Sequence, residues 1–129
     1  ALDRARQLED DNRDRGRPSR RDSPLWGMPF ADKDLNDRAG VTSTYGSRLT
    51  ADYVAGESSP IVVDMDETGG VSIGKTNVPE FGFPAYGENL LPQGSARNPW
   101  DLTRDPGGSS SGAAAAVAAR SPCISAFLS

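Results

Sequence analysis

Two stretches of the chain carry side chains able to move a proton or attack a carbonyl. One is Gly107-Gly108-Ser109-Ser110-Ser111-Gly112, which runs directly into Ala113-Ala114-Ala115-Ala116-Val117-Ala118-Ala119. Three hydroxyls sit on a backbone that glycine frees for positive φ and close approach to a ligand. The alanine run is a strong helix former, and a helix start attracts developing negative charge. Acyl or phosphoryl chemistry fits such a loop. So does a plain flexible turn whose serine caps the helix.

The other stretch is Asp32-Lys33-Asp34, inside Trp26-Gly27-Met28-Pro29-Phe30-Ala31-Asp32-Lys33-Asp34-Leu35. Its prolines exclude a regular helix, so an extended segment is expected over 30–35. Side chains alternate along a strand, which puts Ala31, Lys33 and Leu35 on one face. A lysine desolvated among apolar neighbours loses its proton more readily and can act as a base. The competing expectation is an exposed Asp-Lys-Asp ladder of ion pairs.

The chain has no histidine. A Ser-His-Asp triad, a histidine base or a histidine metal site therefore cannot be assembled from it. Proton transfer falls to lysine, tyrosine, carboxylates or Cys123. As a single cysteine, Cys123 forms no internal disulfide and no cysteine zinc site. No cofactor or metal is expected. The net charge of −4 argues against nucleic acid as a partner. Arginines over 13–21 are interleaved with aspartates and prolines and read as a solvated linker. No apolar run is long enough for a membrane span, and no secretory leader is visible, so a cytoplasmic location is expected.

The elements that must position these groups follow in order. Leu2, Ala5 and Leu8 give residues 1–12 the spacing of an amphipathic helix, with a polar linker to residue 22. Ser58-Ser59-Pro60 starts a second helix, with Ile61, Val62 and Met65 on one side and Gly69-Gly70 at its end. A short buried strand is expected over 71–73. Residues 77–100 are irregular, with Pro79, Pro84, Pro92 and Pro99, and a helix follows at Gly112. The order predicts an α/β fold in one partial domain over 1–129, with the ordered part over 23–129. Gly69-Gly70-Val71-Ser72-Ile73-Gly74-Lys75-Thr76 spells the phosphate-loop pattern. That mechanism needs a strand before the first glycine and a helix at the lysine, and here the order is reversed.

Taken together, four stretches resemble the amidase signature family: residues 26–34, Gly74-Lys75-Thr76-Asn77-Val78-Pro79-Glu80-Phe81, Arg97-Asn98-Pro99-Trp100, and Gly107-Gly108-Ser109-Ser110-Ser111-Gly112. The resemblance covers nearly everything from 25 to 119. It implies a mixed central sheet flanked by helices, and hydrolysis of small-molecule amides through an acyl-enzyme. It also implies a Ser–cis-Ser–Lys triad in which Lys33 is the base and Ser109 the bridging serine. Lys75 then belongs to a G-K-T-N stretch with no phosphate role. Ser111 stands where the family has glycine, so backbone strain is expected if that position needs positive φ. The family's nucleophilic serine lies in a G-G-S-I-R run, expected beyond Ser129. Ser121, Ser125 and Ser129 lack that context, and residues 1–129 alone are expected to have negligible amidase activity. The competing reading is a non-catalytic module that binds an amide or anion at the Gly/Ser loop. Oligomeric state is left open.

Overall fold

In the computed structural model, residues 1–19, 21–83 and 88–121 are described. Arg20, Pro84, Cys123, Ser125 and Ser129 therefore lie outside the described residues. The order is α1 (Leu2–Arg15), β1 (Pro29–Lys33), α2 (Pro60–Glu67), β2 (Val71–Thr76) and α3 (Ser111–Ala118), with short 3-10 turns at Arg48–Thr50 and Glu80–Gly82. This is the α/β order that the sequence led one to expect. None of the described helices is long and apolar enough to cross a membrane.

The first helix runs past residue 12 into what the sequence suggested was linker. Arg13 and Arg15 sit in its last turn, where cations favour the helix dipole. Arg13 also pairs with Asp10 at 3.3 Å. Leu8 is buried whereas Leu2 is exposed, so the apolar stripe is narrower than its spacing implied.

A β-α-β unit carries the site. β1 and β2 pair in parallel, with Pro29 opposite Val71 and Phe30 opposite Ser72. Proline at the first strand position sacrifices no ladder hydrogen bond. Beyond Phe30 the register slips, so that Asp32 faces Lys75 and Lys33 faces Thr76, and β2 carries one extra residue in between. The first strand stops two residues short of the expected end. The Asp34 N–H donates to the Thr76 carbonyl at 3.1 Å, and the chain then turns, with the Asn36 N–H on the Lys33 carbonyl at 2.9 Å. The second strand is longer than expected, because Lys75 and Thr76 resume the pairing after the irregularity.

α2 begins at Pro60 with Ser59 at its N-cap position. Ser59 Oγ accepts no capping bond from the helix and instead donates to the Asp37 carbonyl, at 3.3 Å. Val62 is 2 % exposed and joins Phe30, Ala31, Val71 and Val78 in the core. Burial of one valine side chain stabilises the fold by about 1.5–3 kcal/mol. Ile61, expected on the buried side, is exposed.

Candidate active site

Lys33 ends β1, and Ser109 lies in the loop that feeds α3. Although 76 residues apart, they meet: Lys33 Nζ donates to Ser109 Oγ at 2.7 Å. The Gly108–Ser109 peptide bond is cis. Lys33 is 6 % exposed, and burial holds its ammonium below the ordinary lysine range. Among the described residues no carboxylate comes within ion-pair distance of it. A lysine so placed can exist as an amine, whose lone pair accepts the Ser109 proton. The serine oxygen can then accept a proton from a third group. The capping alternative is not what the serines do. Ser110 occupies the N-cap position of α3 without a side-chain capping bond.

The Asp-Lys-Asp ladder is not present. Asp32, Lys33 and Asp34 are all buried, and each is held by a different partner. Asp32 accepts from Arg38 Nε at 2.7 Å and from Ser72 Oγ at 2.7 Å. Arg38 also reaches Asp66 of α2 at 2.7 Å, and its guanidinium lies 5.9 Å from the Phe30 ring centre. Burial works against the charge on Arg38, but the hydrogen bonds to Asp66 and Asp32 outweigh it and hold the pKa above the usual arginine value. Asp34 pairs with Lys75 Nζ at 2.7 Å and accepts from both the N–H and the hydroxyl of Thr44.

Lys75 makes a second lysine–serine contact, donating to Ser43 Oγ at 2.6 Å. Unlike Lys33, it is tied to a carboxylate. Its place inside β2 also removes the phosphate-loop geometry, since the lysine of that motif must open a helix. A cleft of about 330 Å³ opens beside Lys75, lined by Asp34, Thr44, Asn77, Asn89 and Gln93. Lys33 and Ser109 do not line it.

Asn77 is what brings the Ser109 loop onto the sheet. Its carbonyl accepts from the Gly112 N–H at 2.9 Å and from Ser111 Oγ at 3.3 Å. Its side chain donates to the Gly94 carbonyl at 2.8 Å and accepts from Asn89 Nδ2. Gly112 is needed for closeness rather than for an unusual φ: a Cβ there would overlap the Asn77 nitrogen and lie 2.8 Å from its oxygen. Ser111 is fully buried at the first position of α3, and it is not among the residues of positive φ. The strain expected from serine in place of glycine is therefore absent, and the added hydroxyl has a partner. Sequence reasoning passed over Asn77, Arg38 and Lys75 as functional groups. Only Asn77 and Lys75 left a signal, as part of the G-K-T-N stretch.

A family model described as Amidase matches residues 1–126. A glutamyl-tRNA(Gln) amidotransferase polypeptide of Azoarcus sp. is 50% identical over 97 residues, which is 75% of this chain and 20% of that protein. The chain thus spans about a fifth of the length of the curated relatives it matches. Among solved structures, 6-aminohexanoate cyclic dimer hydrolase with bound substrate superposes with a TM-score of 0.72 at 32% identity, covering 92% of this chain and 23% of that one. Kluyveromyces lactis allophanate hydrolase gives a TM-score of 0.72 at 28% identity, covering 90% and 18%.

Proposed function

The chain belongs to the amidase signature family, and from that premise we propose that Lys33 and Ser109 are the base and the proton-relaying hydroxyl of an amide hydrolase. Residues 23–129 are, in this reading, the N-terminal part of a larger amidase core, acting on small-molecule amides. The observation that carries it is the 2.7 Å contact between a buried lysine, without a carboxylate partner among the described residues, and a serine 76 residues away.

The nucleophile is a further serine, contributed from outside residues 1–129. Its oxygen attacks the amide carbonyl carbon while its proton passes to Ser109 Oγ and the Ser109 proton passes to Lys33 Nζ. The tetrahedral adduct expels nitrogen, which takes a proton back from Lys33 through Ser109 and leaves as amine or ammonia. An acyl-serine ester remains. Water attacks it with the same pair as base, the carboxylic acid departs, and the serine recovers its proton.

Lys33→Ala and Ser109→Ala in the intact protein test this reading, with release of amine from an aryl amide as the assay. Each change should lower kcat/KM by about 10²–10⁴-fold, the usual worth of a positioned general base. Activity that survives Lys33→Ala rejects the assignment. Saturable amide binding with no product in the unaltered protein would favour the binding module instead.

A further inference from the structure

Lys33 sits between two aspartates in sequence, yet neither is its partner. We propose that Arg38 and Lys75 are dedicated counter-charges that take up the flanking carboxylates and leave Ser109, among the described residues, as the side-chain partner of Lys33. The inference rests on the amidase reading for its significance, since only a base needs to be kept free in this way. It gives a task to two residues that the proton relay itself does not use.

The geometry is specific on both sides. Arg38 grips Asp32 through two nitrogens, at 2.7 and 3.3 Å, and holds Asp66 through two more contacts. Lys75 holds Asp34 from the neighbouring strand, and the register slip in β2 is what puts a lysine there. Among the described residues, the charged groups on the elements around Lys33 have other partners or are exposed. On its own segment these are Asp32 and Asp34, and from β2 it is Lys75. α2 turns Ile61, Val62 and Met65 toward Lys33, while its Asp64 and Glu67 are exposed and its Asp66 is held by Arg38. α3, from Ser111 to Ala118, has no titratable side chain, and Asp105 on the loop before Ser109 is exposed. A carboxylate released from its partner and turned to within a few ångströms of Lys33 would stabilise the ammonium form and raise its midpoint by about one to three pH units.

Lys33 and Lys75 are the only lysines among the 129 residues, so amine chemistry reports on them separately. The test is peptide-resolved competitive acetylation of the intact protein with acetic anhydride across pH, which gives the titration midpoint of Lys33 without turnover. Lys75→Met should move that midpoint alkaline by about one pH unit. Asp34→Asn, which leaves Lys75 uncompensated, should move it the other way. The double variant Asp34→Asn/Lys75→Met and the single variant Lys75→Arg should both titrate as the unaltered protein does. If Lys75→Met does not fold, Asp34→Asn and the double variant still decide the matter. An unmoved Lys33 midpoint in Asp34→Asn or Lys75→Met overturns the proposal. Failure of the amidase reading has a different signature, namely undiminished turnover in Lys33→Ala.

Discussion

Replacing Gly112 by alanine adds one methyl group and should cost most of the site's activity. The new Cβ would overlap the Asn77 nitrogen and stand 2.8 Å from its oxygen and 2.9 Å from its Cα, all backbone atoms at the end of β2. None of these is the movable tip of a side chain. Restoring van der Waals contact at 3.4 Å or more requires α3 to retreat by roughly 1 Å, since close-packed interiors offer no slack. Ser109, three residues earlier, moves with it. Starting from 2.7 Å, its oxygen passes beyond hydrogen-bond reach of Lys33. Overpacking of this kind costs about 1–3 kcal/mol. The gain in helix propensity of alanine over glycine returns about 1 kcal/mol of that. Net stability should therefore fall by no more than about 2 kcal/mol, whereas a 1 Å misplacement of reacting groups costs about 10²-fold in rate. Under the amidase reading, the assay is kcat/KM of the intact protein on an aryl amide beside a urea titration of the same preparation. Gly56→Ala is the control, with ordinary φ and nothing within 4 Å of its added Cβ. A Gly112→Ala protein of undiminished kcat/KM would refute the reasoning, as would a structure of it retaining the Lys33–Ser109 contact.

Other outcomes follow from the same contacts. Arg38→Met leaves Asp32 buried without its ion-pair partner, so urea unfolding should show a loss of about 3 kcal/mol, at the low end for a broken buried pair because Asp66 keeps access to water. Burial lowers the Lys33 midpoint below the ordinary 10.5, so between the folded value and 10.5 the unfolded chain binds more protons. Stability should rise with pH across that window and be lost as pH falls through the folded midpoint. Lys33→Met should remove that slope from a series of denaturation curves. Tyr45 has the opposite sign: its hydrogen bond to Asp37, with burial adding, pushes it up to about 12. Its contribution is complete below pH 10 and lost as pH rises through 12, and Tyr45→Phe should abolish that alkaline loss. Residues 1–129 expressed alone should release no product from an aryl amide, because they contain Lys33 and Ser109 without the Gly-Gly-Ser-Ile-Arg run of the family's nucleophile.

The local signals in the sequence were those that depend on neighbours in the chain. Pro60 behind Ser59 set the start of α2, and the alanine run set α3. The reversed order of helix and strand around Gly69 ruled out a phosphate loop, and Lys75 does lie inside a strand. Long-range pairings were illegible. Nothing near Asp32 in the chain says that its cation is Arg38 shared with Asp66, or that Asp34 is claimed by a lysine 41 positions later. For that reason the surface ladder was a fair expectation for Asp-Lys-Asp taken alone. The strand ends were misplaced for the same reason, because the register slip of β2 is decided by what β1 presents to it. That Lys33 and Ser109 face each other came from the family pattern, and no periodicity in this chain would have supplied it.

Asn77 has a consequence for what it costs in chain entropy to bring the site together. Its side chain closes onto Asn89 across 12 residues and onto Gly94 across 17, while its carbonyl receives Ser111 across 34. Loop closure over 34 residues costs about 0.9 kcal/mol more entropy than over 12. The Asn77–Asn89 closure therefore carries the smaller entropic cost, and the contact that docks α3 carries the larger one. The Lys33–Ser109 contact, at 76 residues, is the longest closure of the set and carries the largest entropic cost. The β1–β2 pairing and the Asn77 contacts shorten the span left for the Lys33–Ser109 contact to close, so the proposed site depends on both.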